Sequence, residues 1–422
     1  MTSLHPPAYP RAMKAEIISV GTEILLGEIL DTNSQYLAAR LPPMGIDLYY
    51  MSKVGDNLQR LAETIGRAHQ RADLVLITGG LGPTEDDLTR EAIALTLDEE
   101  MYVDADMERR LRAFFAARGF TFPERNVKQA MLIPSARAIS NPRGTAPGWW
   151  VEKDSRFIVA MPGPPAELSR MWEVEVTPRL AQLVTGDIIA SRTLKTIGIG
   201  EGHLDEMVSP LLKSENPTIG VYAKPDGVHL RLTAKASTQE AARRLIQPME
   251  EELRRLVGDA LWGVDDDTLE AAVGAMLKER ALTLATVESC TGGLLASTIT
   301  DVPGSSAYFK GGYVAYTGRV KMSLAVSAEL IERHGTVSDE VAADMARAAR
   351  SNADADLGVA VTGVAGPDEL EGKPPGRMHI AVDDGGPGLS ISYTYYQGRP
   401  ATKRRAVTTA LALLRRALLA RG

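Results

Sequence analysis

A chain of 422 residues is too long for a single hydrophobic core, and at roughly 100–200 residues per domain it is expected to hold two or three. Hydrophobic residues make up 44% and charged residues 24%, which excludes extensive disorder, and no apolar run reaches the length of a membrane span. A net charge of −7 disfavours nonspecific attraction to nucleic acid or anionic membrane, and a single cysteine, Cys290, excludes an internal disulfide framework or a cysteine-rich zinc site.

Small-molecule chemistry in the cytoplasm is therefore the starting expectation. Residues 1–13 carry His5, Pro6, Pro7 and Pro10 without an apolar core, so they read as a flexible extension and not as a signal peptide. From Lys14 onward strand and helix patterns alternate. Ala15 to Val20 reads as a buried strand, Leu48 to Val54 as a second and Asp73 to Thr78 as a third, with helical segments between them. Alternating units of this kind imply a parallel sheet covered by helices on both faces, with ligands beyond the carboxyl ends of the strands.

The polar turns fall at those ends. Gly79, Gly80 and Gly82 let backbone approach phosphate oxygens, while Glu85, Asp86, Asp87 and Thr89 offer hard oxygen ligands for a magnesium-like ion. Glu23, Glu28, Asp31 and Asp56 lie at similar strand ends. The competing reading is a plain strand-to-helix turn in which Asp86 or Asp87 caps the next helix.

The runs Gly21-Thr22-Glu23-Ile24-Leu25-Leu26-Gly27, Val54-Gly55-Asp56-Asn57 and Thr78 through Thr89 resemble the N-terminal domain of the CinA family and, more distantly, the molybdopterin-binding MogA/MoaB fold. The resemblance implies a domain over 14–185 that hydrolyses the pyrophosphate of ADP-ribose with a divalent metal, magnesium or cobalt, and potassium as a helper. Asp56 and Asp87 would then act near metal or water, with Glu23 and Asp31 as further ligands. Thr78, Gly80, Gly82 and Thr89 would lie at the phosphates.

A small α+β module is expected over 186–264. It contains Gly198-Ile199-Gly200-Glu201, which reads as a connector turn in preference to a KH-like nucleic-acid loop, because no basic cluster or stacking aromatic pair adjoins it. The CinA resemblance continues here and suggests a spacer or dimer element; a homodimer is expected.

The last segment, 265–422, reads as a second α/β sheet in its own core. Its apolar run Leu282 to Val287 enters Glu288-Ser289-Cys290-Thr291-Gly292-Gly293 and then a helix. Such a turn lifts a small nucleophile from the sheet end, which singles out Ser289. No histidine lies near the key turns, so proton removal falls to a desolvated lysine, Lys321, or to a phenol poised by it, Tyr316. Thr291, Gly292 and Gly293 would receive the oxyanion, Thr362 and Gly363 lie at a neighbouring strand end, and Arg399 could hold a phosphate bidentately. The alternatives are that Ser289 caps the following helix, that Lys321 is a surface residue, or that Cys290 is the nucleophile.

Glu288 through Gly293, Gly311 through Tyr316, Lys321, Gly335-Thr336-Val337-Ser338 and Thr362 through Pro367 resemble the CinA C-terminal, or PncC, domain. The resemblance implies cofactor-free hydrolysis of nicotinamide mononucleotide to nicotinic acid mononucleotide and ammonia. In place of the family's Gly-Asp-Arg with a second arginine four residues on, this chain has Gln397-Gly398-Arg399 and Lys403. The expected fold is thus two α/β sandwich domains joined by a small α+β module. Its partners are small nucleotides, without membrane or direct nucleic-acid binding. A reading of another class makes the first domain a noncatalytic ligand- or partner-binding module of a competence- or recombination-associated factor.

Overall fold

The computed structural model describes residues 13–184 and 187–421, so the expected extension up to Ala12 and the expected boundary at Thr185 lie outside the described residues. The chain divides into two compact units, Met1–Ala190 with Ala234–Leu245, and Ser191–Thr233 with Ile246–Gly422.

In the first unit Met13–Val20, Leu74–Thr78 and Arg156–Met161 are buried almost throughout, as parallel strands between two helical layers must be. The sheet runs in the order Ile46–Val54, Met13–Val20, Leu74–Thr78, Arg156–Met161, Gly148–Lys153, Ala136–Ile139. The first four strands are parallel, as the alternating pattern implies. The last two run antiparallel, because Asp154 and Ser155, at φ 53° and 58°, close a tight hairpin between Gly148–Lys153 and Arg156–Met161. Ile18, Val20, Val75 and Ile77 build the core on one face, and Ile17, Leu74, Leu76 and Val159 build it on the other. Met13–Val20 has its second strand on one side and its third on the other, so the strand order reverses there. That reversal opens the crevice in which such sheets bind ligands. The helical run from Pro165 to Leu183 widens into a π-helical turn at Trp172–Val176, just ahead of Pro178, whose ring nitrogen has no hydrogen to donate.

The second unit contains a four-stranded sheet ordered Thr218–Lys224, Gly227–Ala236, Ile188–Thr196, Leu261–Val264. Leu261–Val264, expected only as the end of the module, is its fourth strand. The larger sheet runs Phe309–Val314, Leu284–Glu288, Leu357–Gly363, Arg377–Asp383, Leu389–Thr394. The first three strands are parallel and the last two antiparallel. Alternate residues of each strand face different cores. Leu284, Val359 and Val361 pack with Leu411 and Leu414 of helix Arg399–Ala420, whereas Ala285, Val287 and Ala360 pack with Ala342, Met345 and Ala346 of helix Asp339–Asn352. Here too the strand order reverses at the first strand, Leu284–Glu288. No helix among the described residues is long and apolar enough to cross a membrane.

The alanine-lined face of Asp339–Asn352 allows the helix to approach the sheet closely at Gly358, where a Cβ would overlap the Ala346 carbonyl oxygen. Gly358→Ala should therefore destabilise the protein by about 1–3 kcal/mol. A fall of the thermal midpoint by several degrees would report it, and an unchanged midpoint would contradict this packing.

Candidate functional site

Two sites emerge, one at each reversal of strand order. In the second unit the Ser289 N–H donates to the Val361 carbonyl at 2.8 Å and the Ala315 N–H donates to the Glu288 carbonyl at 2.7 Å, which extends the ladders on both sides of Leu284–Glu288. Ser289 is thereby held at the centre of the sheet end, buried but 8% exposed. Lys321 comes from the short helix Gly318–Ser323, and its Nζ donates to Ser289 Oγ and to the Ala315 carbonyl, both at 2.9 Å. The lysine is only 1% exposed. Removal from water disfavours its charged form and brings its pKa down from the usual lysine value to about 8.

Glu288 resolves one of the alternatives at Ser289. Its buried carboxylate accepts N–H bonds from Gly293 at 3.1 Å, Leu295 at 3.0 Å and Ala296 at 2.8 Å. The helix cap is thus Glu288, and the Ser289 hydroxyl is left to Lys321. The same bonds correct the expected oxyanion donors. The Gly293 N–H is taken by Glu288 and the Gly292 N–H donates to the Ser289 carbonyl at 3.1 Å. The turn amides left are those of Cys290 and Thr291. The Cys290 thiol is buried against Met378 Sδ at 3.5 Å and burial pushes its pKa up to about 12, the opposite of an activated nucleophile.

Tyr316 is exposed, and its hydroxyl accepts from Arg399 Nη2 at 2.9 Å; it does not bond to Lys321 as the expected relay would. Arg399 Nη1 donates to the Gly366 carbonyl at 2.8 Å. A Cβ placed on Gly292 would lie 3.7 Å from Lys403 Nζ, so this lysine reaches the nucleophile turn. Thr362 and Gly363 support the wall instead of lining it. The Thr362 hydroxyl is fully buried and donates to the Thr336 carbonyl at 2.8 Å, and Gly363 packs on Met378. His379 bonds to Asp339 and Arg377, with no bond to Ser289 or Lys321.

In the first unit a cavity of about 590 Å³ lies at the ends of Met13–Val20, Leu74–Thr78 and Arg156–Met161. Glu23, Asp31, Asp56, Thr78, Gly80, Gly82 and Asp87 all border it. Thr89 does not: it is fully buried, and its hydroxyl donates to the Gly79 carbonyl at 2.8 Å. Asp31 uses both oxygens, accepting from Ser34 N at 3.0 Å as a helix cap and from Ser19 Oγ at 2.8 Å, with Lys53 at 3.4 Å. It does not fit a metal ligand. Asp56 accepts from Thr22 N at 2.9 Å and Asp87 from Thr84 N at 2.9 Å, each through Oδ2 alone. Asn33, which no motif chemistry singled out, ties the walls together by donating to Thr78 Oγ1 at 2.8 Å and the Gly163 carbonyl at 2.7 Å. No cluster of three or more His, Cys, Asp or Glu side chains among the described residues is arranged to hold a metal. Magnesium-type ions commonly take one or two carboxylates and complete their shell with water and substrate phosphate. Asp56 and Asp87 each keep Oδ1 clear of these bonds at the border of the cavity, a donor set suited to an ion completed by water and phosphate and not to an all-protein cage.

Three family models match the chain: "CinA C-terminal domain" over 266–418, "Probable molybdopterin binding domain" over 16–182, and "Damage-inducible protein CinA KH domain" over 191–263. The middle module, read from sequence as a connector, therefore matches a KH model. A competence-damage inducible protein of Moorella thermoacetica is 45% identical over 412 residues, 97% of this chain and 99% of that protein. A CinA-like protein of Dictyoglomus thermophilum is 42% identical over 88% of this chain and 90% of that one. A crystal structure of a CinA superfamily protein from Escherichia coli is 36% identical, covering 37% of this chain and 92% of that chain at a TM-score of 0.35.

The burial of Lys321 has a thermodynamic signature. Its folded-state pKa lies below the unfolded value, so between about pH 8 and pH 10.5 the unfolded chain binds more protons and stability rises with pH. Across that window urea unfolding of the wild type should gain up to about 3 kcal/mol on Lys321→Met, at roughly 1.4 kcal/mol per pKa unit. A pH-independent difference would mean that the amine is not desolvated.

Proposed function

The chain belongs to the CinA family, and from that premise we propose that it is a bifunctional pyridine-nucleotide hydrolase, an amidase on nicotinamide mononucleotide and a metal-dependent pyrophosphatase on ADP-ribose. The observation that carries the first activity is the Lys321 Nζ to Ser289 Oγ contact of 2.9 Å between two buried side chains. With its amine neutral, Lys321 takes the serine proton as Oγ adds to the carboxamide carbon. The oxyanion is received at the N–H groups of Cys290 and Thr291. Lys321 then returns the proton to the departing nitrogen, ammonia leaves, and an ester on Ser289 remains. Water, deprotonated by the same amine, cleaves that ester and releases the nicotinate carboxylate and the free hydroxyl. Arg399, braced by Gly366 and Tyr316, binds the 5′-phosphate, and Lys403 adds a second positive charge in place of the family's arginine.

For the second activity the supporting observation is electrostatic. Six acids border the first cavity, Glu23, Asp31, Asp56, Asp86, Asp87 and Glu167, and no lysine, arginine or histidine among the described residues does. A diphosphate entering there needs a bound cation. Asp56 and Asp87 would hold it, and when bound it neutralises phosphate charge and makes a water nucleophilic. Around it the chain's own residues position the ligand: the Gly79–Gly82 turn at the phosphates, and Thr78 and Asn33 across the floor. The products are AMP and ribose 5-phosphate.

A second reading, in which the first unit is a noncatalytic ligand- or partner-binding module, draws on the missing three-ligand metal cluster and on the competence-damage names of the relatives. Asp87→Ala separates the two. Loss of metal-dependent AMP release from ADP-ribose is expected, and full retention, or no release by the wild type, favours the module.

For the amidase, Ser289→Ala should abolish ammonia release and Lys321→Met should lower kcat by about 10²–10⁴-fold. The pH profile of kcat/KM should rise through about pH 8, because the base works only once neutral. Arg399→Ala should instead raise KM about tenfold or more with a smaller change in kcat, as expected for a lost charged hydrogen bond. A flat pH profile, or an active Ser289→Ala, would refute this mechanism.

A further inference from the structure

Arg90 is a buried arginine with no ion-pair partner among the described residues. It is 0% exposed, its Nη1 donates to the Leu81 carbonyl at 2.8 Å, its Nη2 donates to the Pro147 carbonyl at 3.2 Å, and its Nε has no partner. The two neighbouring acids are engaged elsewhere, Glu91 with Lys128 at 3.0 Å and Asp87 with Thr84. Burial pushes the guanidinium pKa down to about 10, so it is still charged at neutral pH. A buried charge held only by carbonyls is costly in stability, and such groups are often kept for what their charge does.

Its position suggests what that is. Three successive carbonyls of the glycine turn are drawn toward helix Thr89–Leu97. Thr89 Oγ1 donates to Gly79, the Thr89 N–H donates to Gly80 at 3.1 Å, and Arg90 donates to Leu81. In a trans peptide the N–H points opposite to the C=O, so the N–H groups of Gly80, Leu81 and Gly82 turn away from the helix, and all three residues border the cavity. No backbone carbonyl among the described residues accepts them. The left-handed turn at Gly79 and Gly80, φ 97° and 66°, is what permits this run of peptides.

We propose that Arg90 is a positioning and electrostatic residue for a diphosphate ligand, aligning the Gly80–Gly82 amides from behind and supplying the fixed positive charge that the acid-lined cavity lacks. This deepens the pyrophosphatase reading and rests on it for the identity of the ligand. Arg90 also ties the turn to Pro147, the residue that follows the cavity-lining Ala146.

The test is calorimetric titration of inorganic pyrophosphate, with magnesium in excess, into the full-length wild type, Arg90→Lys and Arg90→Met at two ionic strengths. Arg90→Met should bind at least about tenfold more weakly, with a flatter salt dependence, and Arg90→Lys should recover most of the affinity. A merely structural role would leave the salt dependence unchanged. Equal affinity of wild type and Arg90→Met, absence of binding by the wild type, or equal losses in Lys and Met variants with wild-type melting would each overturn the proposal. Should Arg90→Met fail to fold, Arg90→Gln, which removes the charge and keeps an N–H donor, takes its place, and wild-type affinity with wild-type salt dependence in that variant would also overturn it. Pyrophosphate binding that depends on Arg90 in a chain that leaves ADP-ribose intact would sink the hydrolase reading alone. ADP-ribose hydrolysis by the wild type, with undiminished pyrophosphate binding by Arg90→Met, would sink this one alone.

Discussion

A lysine amine 2.9 Å from a serine hydroxyl, both on buried side chains, is the contact on which the chemistry of the second unit depends. In water a lysine is held as its ammonium, without a lone pair to accept a proton, until the pH nears about 10.4. The sheet end changes this by replacing hydration with two acceptors, Ser289 Oγ and the Ala315 carbonyl, which fill only part of an ammonium's donor capacity. The protein thereby obtains a base near neutrality without a histidine. The arrangement requires the strand Leu284–Glu288 to be central, because only there do two flanking strands hold the turn from both sides.

The first unit meets an opposite difficulty. Its cavity is bordered by acids, yet it lies at the position where parallel sheets hold anionic ligands. Three of those six acids also serve the scaffold: Asp31 caps a helix, Asp56 pins the Thr22 turn, and Asp87 pins Thr84. Carboxylates committed to N–H groups keep part of their charge, and that charge still repels phosphate. Positive potential has to come from the backbone, from behind the turn, or from a cation that arrives with the ligand.

Much of this was legible in the sequence, and the misses have a common physical origin. Buried parallel strands announce themselves as unbroken apolar runs, so Ala15 to Val20 and Asp73 to Thr78 stood out, within the strands Met13–Val20 and Leu74–Thr78. The nucleophile turn was legible because glycine pairs after a strand have few other uses. What sequence does not reveal is which of two roles a short polar side chain takes, since capping and ligand binding call for the same residues. Thr89 and Asp31 read as ligands and turn out to hold backbone; Gly292 and Gly293 read as oxyanion donors, but their amides are already occupied. Glu288 and Arg90 were missed because their importance lies in which peptide planes they grip. The antiparallel edge of the first sheet depended on a two-residue turn, Asp154-Ser155, that lacks the usual glycine.

The two turns use the same device with opposite sign. In the second unit an acid one residue before the nucleophile takes the N–H groups of Gly293, Leu295 and Ala296, so the positive end of that turn is neutralised away from Ser289 and only the amides nearest the hydroxyl are left. In the first unit a hydroxyl, an amide and a guanidinium take three carbonyls, so the N–H side of the turn is left for an anion. A glycine-rich turn carries donors and acceptors in equal number and is not selective by itself. Selectivity comes from the buried side chain that occupies one set, which makes Glu288 and Arg90, neither of them exposed, the residues that decide what each turn can bind.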